Sequence, residues 1–232
     1  MKELSIVIPI LNEAKNINQL IPEINKVKIK INLNRLEVLL IDDNSHDNIK
    51  NVVTRLKKRY PYLKLFIRKN KKKDLSKSCL EGFIKAKYKN ILVMDGDLQH
   101  DPKYIEKFID KFNLSSSDII VGCRNFFYKD NKGLNFVRTY ASVLLIFFIN
   151  ILLGKKTSDP LSGFFLFKKK LFVGSKKKFF GKGYKILADI IYNNKKVRVS
   201  DVKINFKKRL YGKSKINLKV LYYLLVFIIR KF

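Results

Sequence analysis

Short apolar runs alternate with amphipathic stretches through the first half of the chain. Five of these runs predict strands, at 4–10, 36–42, 63–68, 91–95 and 118–123. The stretches between them predict helices over about 16–27, 49–60, 76–87 and 102–112, with Asp47 and Asp101 as N-caps of the second and fourth helix. Strands that alternate with helices in this way are typical of βαβ units, so the pattern indicates an α/β fold with a largely parallel sheet.

Two strongly apolar segments follow residue 123, at 139–154 and 220–229, and Lys or Arg flanks each of them. As a helix, the 16 residues of the first segment would be about 24 Å long, which is short of the roughly 30 Å of hydrocarbon in a bilayer. A full membrane span is therefore not expected. The first segment fits a core helix or an in-plane helix at an anionic membrane surface, and the second favours the membrane surface.

Charge narrows the classes of partner. The chain has 50 Lys and Arg against 19 Asp and Glu, a formal net charge of +31, which favours nucleic acid, acidic lipid headgroups or phosphorylated small molecules. A general bias toward Lys explains part of this excess. The 47% hydrophobic content excludes a disordered tail, and 30% charged residues argue against a polytopic membrane protein.

The cysteines and the N-terminus indicate a cytoplasmic protein. Cys79 and Cys123 have no CxxC spacing and no clustered His, so neither a disulfide framework nor a zinc site is indicated. Pro9, Asn12 and Glu13 interrupt the first apolar run before it reaches the length of a signal peptide.

Polar residues follow three of the predicted strands, at Asn12-Glu13, Asp42-Asp43 and Asp95-Gly96-Asp97. Ligands of an open parallel sheet bind outside the carboxyl ends of its strands, and buried carboxylates need a cation or hydrogen-bond donors. In extended chain Asp95 and Asp97 project to the same side, and Gly96 leaves backbone room for a ligand. With the amide of Gln99 they predict a site for Mg²⁺ or Mn²⁺ carrying a diphosphate, although an ordinary strand exit would have the same sequence.

The chain resembles the dolichol-phosphate mannose synthase group of family-2 glycosyltransferases, which have a GT-A fold. The resemblance covers nearly the whole chain and rests on eight pieces that occur in order. They are Ile8-Pro9, Asn12-Glu13, Ile41-Asp42-Asp43-x-Ser45, Met94-Asp95-x-Asp97-Leu98-Gln99-His100-Asp101-Pro102, Val121-Gly122-x-Arg124, Ser162-Gly163-Phe164, Gly181-Lys182-Gly183-Tyr184 and Arg209-x-x-Gly212-Lys213-Ser214.

The resemblance implies a Rossmann-like GT-A domain over 1–215, including an apolar interfacial helix at about 136–154, and a short membrane-associating helix over 216–232. It assigns donor-nucleotide binding to Pro9, Asn12, Glu13, Asp42, Asp43, Asp95, Arg209 and Lys215. Acceptor-phosphate binding falls to Arg124, Arg138 and Ser214, and metal binding to Asp95, Asp97 and Gln99. The candidate catalytic residues are Asp95, Asp97, Arg124, Arg138 and Asp159, of which Asp159 is expected to orient sugar hydroxyls.

Two positions depart from the pattern of this group. Asn44 replaces the usual Gly after the aspartate pair, and Asn also accepts left-handed backbone geometry. The glycine-rich loop expected before the third helix is here Asn70-Lys71-Lys72-Lys73-Asp74-Leu75-Ser76. Nucleotide preference is therefore less well specified than fold and reaction class.

The resemblance implies an inverting transfer of a hexose, with mannose and GDP-mannose favoured, to a polyprenyl or dolichyl monophosphate at the cytoplasmic membrane face. The partners are then the nucleotide sugar, the lipid phosphate, an anionic membrane surface and either no further protein or a membrane-anchoring subunit. A phosphate monoester is already mostly dianionic at neutral pH, so the reaction needs no general base.

Other readings remain open. A UDP-glucose donor is one, and a saccharide acceptor is another, although that acceptor would need a base. A catalytically dead membrane scaffold and a basic nucleic-acid-binding protein are more remote, since carboxylates at strand ends would repel a polyanion and no nucleic-acid-binding motif is evident, so no nucleic-acid partner is expected.

Overall fold

The computed structural model describes residues 1–69, 71–124, 149–151, 153–175, 178–179 and 185–207. The strands in these ranges are β1 (Glu3–Ile10), β2 (Arg35–Asp42), β3 (Leu63–Ile67), β4 (Asn90–Val93), β5 (Ile119–Arg124), β6 (Phe165–Lys168) and β7 (Val199–Ile204). The helices are α1 (Ala14–Lys30), α2 (Ile49–Arg59), α3 (Leu75–Lys85), α4 (Tyr104–Leu114), α5 (Lys170–Val173) and α6 (Ile186–Asn193).

The strands form a single sheet in the order β3-β2-β1-β4-β6-β5-β7. Strand β1 pairs in parallel with β2 and β4, β2 with β3, and β5 with β7, whereas β6 runs antiparallel to β4 and β5. The largely parallel α/β sheet predicted from the sequence is confirmed. All five predicted strands and four predicted helices are present, whereas β6, β7, α5 and α6 were not predicted from the sequence.

Side-chain alternation along the buried strands divides the core between the two faces of the sheet. Ile6 and Ile8 of β1 point into a cluster with apolar residues of α1, α2 and α4, and Val7 points into a second cluster with residues of α3 and α6. Because helices cover both faces, β1 and β2 are nearly continuous apolar runs, as is typical of a parallel sheet. The carboxyl ends of β1, β2 and β4 consequently meet at one edge.

The two predicted helix caps act differently from the expectation. The Asp47 carboxylate accepts a hydrogen bond from the N–H of Ala14 at 2.7 Å, so it stabilises the start of α1; the prediction that it caps α2 was wrong, because α2 begins after Asn48. Asp101 accepts the N–H of Lys103 at 3.1 Å in the turn that leads into α4. Asp47 therefore joins two loops at the carboxyl edge of the sheet.

The apolar segment at 139–154 lies largely outside the described residues. At its described end, Ile149 and Leu153 are buried in the second core cluster, whereas Ile151 is about half exposed. The segment at 220–229, and the boundary expected at 215–216, also lie outside. In the part of the chain that the structure describes, no helix has both the length and the apolar character required to cross a membrane.

A buried carboxylate fastens the opposite end of the sheet. Glu37 of β2 is only 3% exposed and accepts hydrogen bonds from the hydroxyl of Ser5 at 2.7 Å and the backbone N–H of Lys87 at 2.5 Å. The ammonium of Lys64 donates at 2.8 Å. Burial acts to raise the pKa of Glu37, but the donors from Lys64, Ser5 and Lys87 together outweigh burial and leave the pKa below its ordinary value. One carboxylate thus ties β1, β2 and β3 to the segment that precedes β4.

We predict that Glu37→Gln lowers the free energy of unfolding at neutral pH by about 1–3 kcal/mol, since a buried hydrogen-bonded charge is lost. A carboxylate whose pKa is lowered on folding adds stability above the ordinary glutamate pKa of about 4.3. That stability disappears as the pH falls through the lower pKa of the folded state. The difference between wild type and variant, measured by urea unfolding, should therefore shrink in acid.

The control for this prediction is Glu23→Gln, which removes the same charge from an exposed pair with Lys26. This change should alter stability by less than about 0.5 kcal/mol. Equal losses for the two variants, or a difference from wild type that does not vary with pH, would show that the Glu37 charge has no special role.

Candidate functional site at the carboxyl edge of the sheet

The strand order brings the predicted donor-site residues to one edge. Strand β1 lies between β2 and β4 in parallel, so the residues that follow these three strands are neighbours. The chain continues from β1 to β2 on one side and reaches β4 on the other, which makes this edge a topological switch point where open α/β sheets bind ligands. Pro9 itself is buried within β1.

A cleft of about 560 Å³ opens beside the β1–α1 turn. Of the predicted nucleotide-binding residues, Asn12 and Glu13 line it, and Asp42 and Asp43 do not. The amide nitrogen of Asn16 donates to the Glu13 carboxylate at 2.5 Å and fixes its orientation. The lining residues are Asn12, Glu13, Ala14, Lys15, Asn16, Asn18, Asp47, Asn48, Val52 and Arg55.

Asp42 joins the two loops that border this edge. It accepts hydrogen bonds from the backbone N–H of Ser45 at 3.2 Å and from the Ser45 hydroxyl, whose oxygen in turn accepts the N–H of Asn12 at 2.7 Å. Asn12 and Asn44 have φ of 56° and 61°, so both adopt the left-handed conformation that Asn tolerates. This confirms the expectation for Asn44. Ser45 was singled out only within a motif, and it is the link between the loops.

Asp43 is directed inward. Its carboxylate pairs with Arg68, which is 2% exposed, and accepts the backbone N–H of Asp74 at 2.6 Å. Arg68 also donates to the Ser78 hydroxyl at 3.0 Å. Both carboxylate oxygens thus hold the loop before α3, and the assignment of Asp43 to the donor nucleotide stays a prediction. This pairing stabilises a loop that lacks the glycines expected there.

The Asp95–Asp97 segment is a bend, because β4 already ends at Val93. The side chain of Asp95 is about one-third exposed, whereas Asp97 is 4% exposed and accepts the N–H of Gln99 at 3.1 Å. A Cβ on Gly96 would lie 2.9 Å from Ile10, so the glycine serves core packing and not the ligand space expected of it.

His100 packs against this bend and accepts a hydrogen bond from it. It is buried against Phe164, at 4.9 Å between ring centroids, and its Nδ1 accepts the N–H of Asp95 at 3.1 Å. Burial, with a smaller effect of Arg124, lowers its pKa to about 4 against the attraction of Asp97. The ring is therefore neutral at physiological pH, and the 3.7 Å approach of Nδ1 to the Asp95 carboxylate is not an ion pair.

Gln99 is oriented by the segment that follows β7. Its amide nitrogen donates to the Lys207 carbonyl at 3.1 Å, and the Lys207 N–H donates to the Gln99 carbonyl at 3.0 Å. The side-chain oxygen of Gln99 is not used in that contact. Two carboxylates and this amide oxygen are hard ligands of the kind that Mg²⁺ and Mn²⁺ bind. Among the described residues, no group of three or more His, Cys, Asp or Glu could hold a metal.

Arg124, at the end of β5, forms a two-pronged ion pair with Asp159. Its Nε donates to one carboxylate oxygen at 2.7 Å and its Nη2 to the other at 3.0 Å. Burial acts to lower the pKa of Arg124, but the charges of Asp159 and Asp95 raise it above its ordinary value. Asp159 is fully buried, and both of its carboxylate oxygens hold Arg124. Its assignment to sugar hydroxyls stays a prediction.

The Ser162-Gly163 segment limits where Asp95 can lie. The Ser162 hydroxyl donates to the Gly122 carbonyl at 2.7 Å and accepts the Phe164 N–H, which fastens the segment to β5. A Cβ on Gly163 would lie 2.9 Å from Oδ2 of Asp95. Gly163 therefore keeps room for this carboxylate. The sequence motif included Gly163, but only the structure shows that Asp95 lies beside it.

Four predicted site residues lie outside the described residues, namely Arg138, Arg209, Ser214 and Lys215. Their assignments to the diphosphate and the acceptor phosphate stay predictions. Lys207, which exchanges two hydrogen bonds with Gln99, is the last described residue before the segment that contains Arg209, Ser214 and Lys215.

A known protein family matches most of this chain. The family model described as "Glycosyl transferase family 2" matches residues 5–174. The chain is 34% identical over 224 residues to a dolichol-phosphate mannosyltransferase of Pyrococcus furiosus, covering 95% of this chain and 61% of that protein. It is 26% identical to the protein of the same name from Saccharomyces cerevisiae, covering 94% of this chain and 83% of that one. It thus spans about three-fifths of the Pyrococcus relative.

Solved structures show the same fold at low sequence identity. A Mycobacterium tuberculosis glucosyl-3-phosphoglycerate synthase, crystallised with Mn²⁺, UDP and glucosyl-3-phosphoglycerate, superposes with a TM-score of 0.72 at 13% identity, covering 99% of this chain and 78% of that one. A mannosyl-3-phosphoglycerate synthase from Rubrobacter xylanophilus gives 0.71 at 16% identity, covering 99% and 72%. The α/β sheet and the family match together confirm the GT-A fold, and the chain belongs to glycosyl transferase family 2.

Proposed function

We propose that this chain transfers a hexose, with mannose favoured, from a nucleoside-diphosphate sugar to a polyprenyl or dolichyl monophosphate. The observation that carries the proposal is the Asp95–Asp97 bend at the switch point, with Arg124 within electrostatic reach of Asp95, in a family-2 chain. The relatives named dolichol-phosphate mannosyltransferase support the choice of mannose and of a lipid phosphate. GDP-mannose is the donor that the sequence resemblance favours.

In this proposal the nucleotide-sugar donor lies along the carboxyl edge of the sheet. The cleft beside Asn12 and Glu13 has room for a nucleoside, and the diphosphate would extend from it toward Asp95. Asp95, Asp97 and the Gln99 side-chain oxygen would hold a Mg²⁺ or Mn²⁺ ion. Such an ion supplies stabilisation for the negative charge that grows on the leaving diphosphate. Solved structures with the same fold contain Mn²⁺ with UDP or UDP-glucose, which supports a divalent ion here.

The acceptor supplies its own nucleophile. A phosphate oxygen forms the bond to the anomeric carbon as the bond to the diphosphate breaks, and attack from the opposite face inverts that carbon. His100, the histidine beside Asp95, is a poor base because its pKa lies near 4 and its Nδ1 already accepts a hydrogen bond. A dianionic phosphate needs no base, whereas a sugar hydroxyl does. The neutral His100 therefore supports the phosphate acceptor.

Arg124 is proposed to contact the phosphates. Asp159 occupies Nε and one hydrogen of Nη2, and a guanidinium has five N–H donors. Arg124 also lies close enough to Asp95 for that carboxylate to raise its pKa. A cation at this place is suited to an anionic phosphate.

We propose further that the protein works at the cytoplasmic surface of a membrane, either alone or with an anchoring subunit. This rests on the positive charge and the two short apolar segments of the sequence. Flotation with acidic and neutral vesicles tests it: recovery with acidic vesicles, reduced by salt, is expected, and equal recovery with both would contradict it.

We expect purified protein with Mg²⁺ or Mn²⁺ to move label from GDP-[¹⁴C]mannose into the organic phase when polyprenyl phosphate is present. UDP-glucose, UDP-galactose and a saccharide acceptor complete the panel. Label entering the organic phase only from UDP-glucose would replace the favoured donor. Label entering only a saccharide would overturn the lipid acceptor.

We predict that Asp97→Asn reduces metal-dependent transfer roughly 100-fold or more, because it removes a charge that would hold the ion, and such electrostatic stabilisation is worth several kcal/mol. The amide can still accept the Gln99 N–H, so the bend is retained. The measurement is initial rate against Mn²⁺ concentration. Asp110→Asn, on the exposed face of α4, is the control with the same charge change. Unchanged metal dependence in Asp97→Asn would remove Asp97 from the metal site.

We predict that Gly163→Ala weakens Mn²⁺ activation at least about tenfold, because the new methyl group displaces the Asp95 carboxylate. Displacing a catalytic group by about 1 Å can lower the reaction rate up to about 100-fold. Gly174→Ala is the matched control, since its new methyl group would approach nothing closer than 3.4 Å. Melting temperatures of both variants separate loss of fold from loss of geometry. A fully active Gly163→Ala protein would show that Asp95 can move without consequence.

A further inference from the structure

Asp201 is an acidic residue of β7 that no predicted site includes, and its carboxylate collects three hydrogen bonds from one loop. The Thr157 hydroxyl donates to Oδ1 at 2.6 Å. The backbone N–H and the hydroxyl of Ser158 donate to Oδ2 at 2.8 and 2.5 Å. Three donors on one carboxylate fix the position of the loop relative to β7.

Strand pairing places this carboxylate near the functional edge. β7 runs parallel to β5, with Asp201 opposite Val121 and Ile204 opposite Arg124. On the neighbouring strand, Asp201 therefore lies three residues before the position that pairs with Arg124. The loop that it holds leads directly to Asp159.

The hydroxyl of Thr157 connects Asp201 to the residue that holds Arg124. The oxygen of Thr157 donates to Asp201 and accepts the backbone N–H of Asp159 at 3.3 Å. Asp159 is 0% exposed and holds Arg124 through Nε and Nη2. Thr157 is 5% exposed, so water has little access to replace this contact.

We propose that Asp201 is a positioning residue which, through Thr157 and Asp159, sets the orientation of the Arg124 guanidinium toward the phosphates. The inference rests on the proposed function, because it assigns Arg124 to the phosphates. A guanidinium is a rigid planar fork, so turning the carboxylate that grips one edge redirects the donors of the other edge. Positional errors near 1 Å can lower catalysis about 100-fold.

The chemistry requires a carboxylate at 201 and a hydroxyl at 157. An asparagine has one acceptor oxygen, so Asp201→Asn cannot serve the donors that now meet both oxygens. Thr157→Val keeps the volume but loses the group that both donates and accepts, whereas Thr157→Ser keeps that group. Asp201→Asn and Thr157→Val should therefore behave alike, and Thr157→Ser should behave as the wild type.

The test is a double-mutant cycle of Asp201→Asn and Arg124→Gln in the transferase assay. We expect Asp201→Asn to lower kcat roughly 10- to 100-fold in the wild-type background. In the Arg124→Gln background it should change kcat less than about twofold, because the group through which it acts is already gone. Independent losses that multiply would overturn the proposal.

Asp118→Asn provides the matched control. Asp118 lies immediately before β5, at the opposite end of the β5–β7 pair, where it accepts the Arg198 N–H at 3.2 Å and pairs with Lys168 at 2.8 Å. Its loss removes a comparable strand-linking charge far from Arg124. A fall in kcat equal to that of Asp201→Asn would show that general loosening of the strands explains both.

A second measurement does not depend on activity. The Nε–H signal of Arg124, identified by its absence in Arg124→Gln, should exchange with solvent faster in Asp201→Asn and Thr157→Val, and at the wild-type rate in Asp118→Asn and Thr157→Ser. Unchanged exchange in Asp201→Asn would overturn the positioning role. Full activity of Arg124→Gln would instead overturn the proposed role of Arg124 in transfer, while the exchange result would still report on the connection.

Discussion

The free-energy penalty of burying a carboxylate organises this structure. An unpaired carboxylate in a protein interior costs several kcal/mol, so each buried one must meet donors or a cation. Glu37, Asp43 and Asp159 are at most 6% exposed, and each accepts hydrogen bonds from segments distant in sequence. The donors that satisfy these charges therefore also fix the loops between the strands, which is why the edge of the sheet has a defined shape before any ligand arrives.

Exposure distinguishes Asp95 from the buried acids that build the edge. Asp43 is used by Arg68 and by a backbone N–H, and Asp159 by both prongs of Arg124. Asp95 is about one-third exposed and faces the space that Gly163 leaves beside it. The two kinds of acid depend on each other, because Asp159 holds the arginine that balances the charge of Asp95.

The fold of the first half could be predicted because its elements are local. Apolar runs and amphipathic stretches place β1 to β5 and α1 to α4, and strand ends in a parallel sheet must meet. Strand β6 could not be found in the same way, since Phe165–Lys168 is four residues long and inserts between β4 and β5 in antiparallel sense. In β7, half-buried residues leave little alternation to detect. The hydrogen-bond partners of these acids could not be predicted either, because they are distant in sequence. Asp47 bonds to the start of α1, 33 residues away, and Asp159 bonds to Arg124, 35 residues away.

The strongly basic chain and its acidic edge act over different distances. A net charge of +31 produces a long-range field that attracts anions and weakens with salt. That field cannot tell one phosphate from another. Discrimination needs fixed groups at short range. In the proposed function Asp95 and Asp97 would share a cation with a diphosphate, and Asp159 holds the planar guanidinium of Arg124 through two hydrogen bonds. Because a surplus of positive charge attracts any anion, the buried acids are what convert general attraction into a particular geometry.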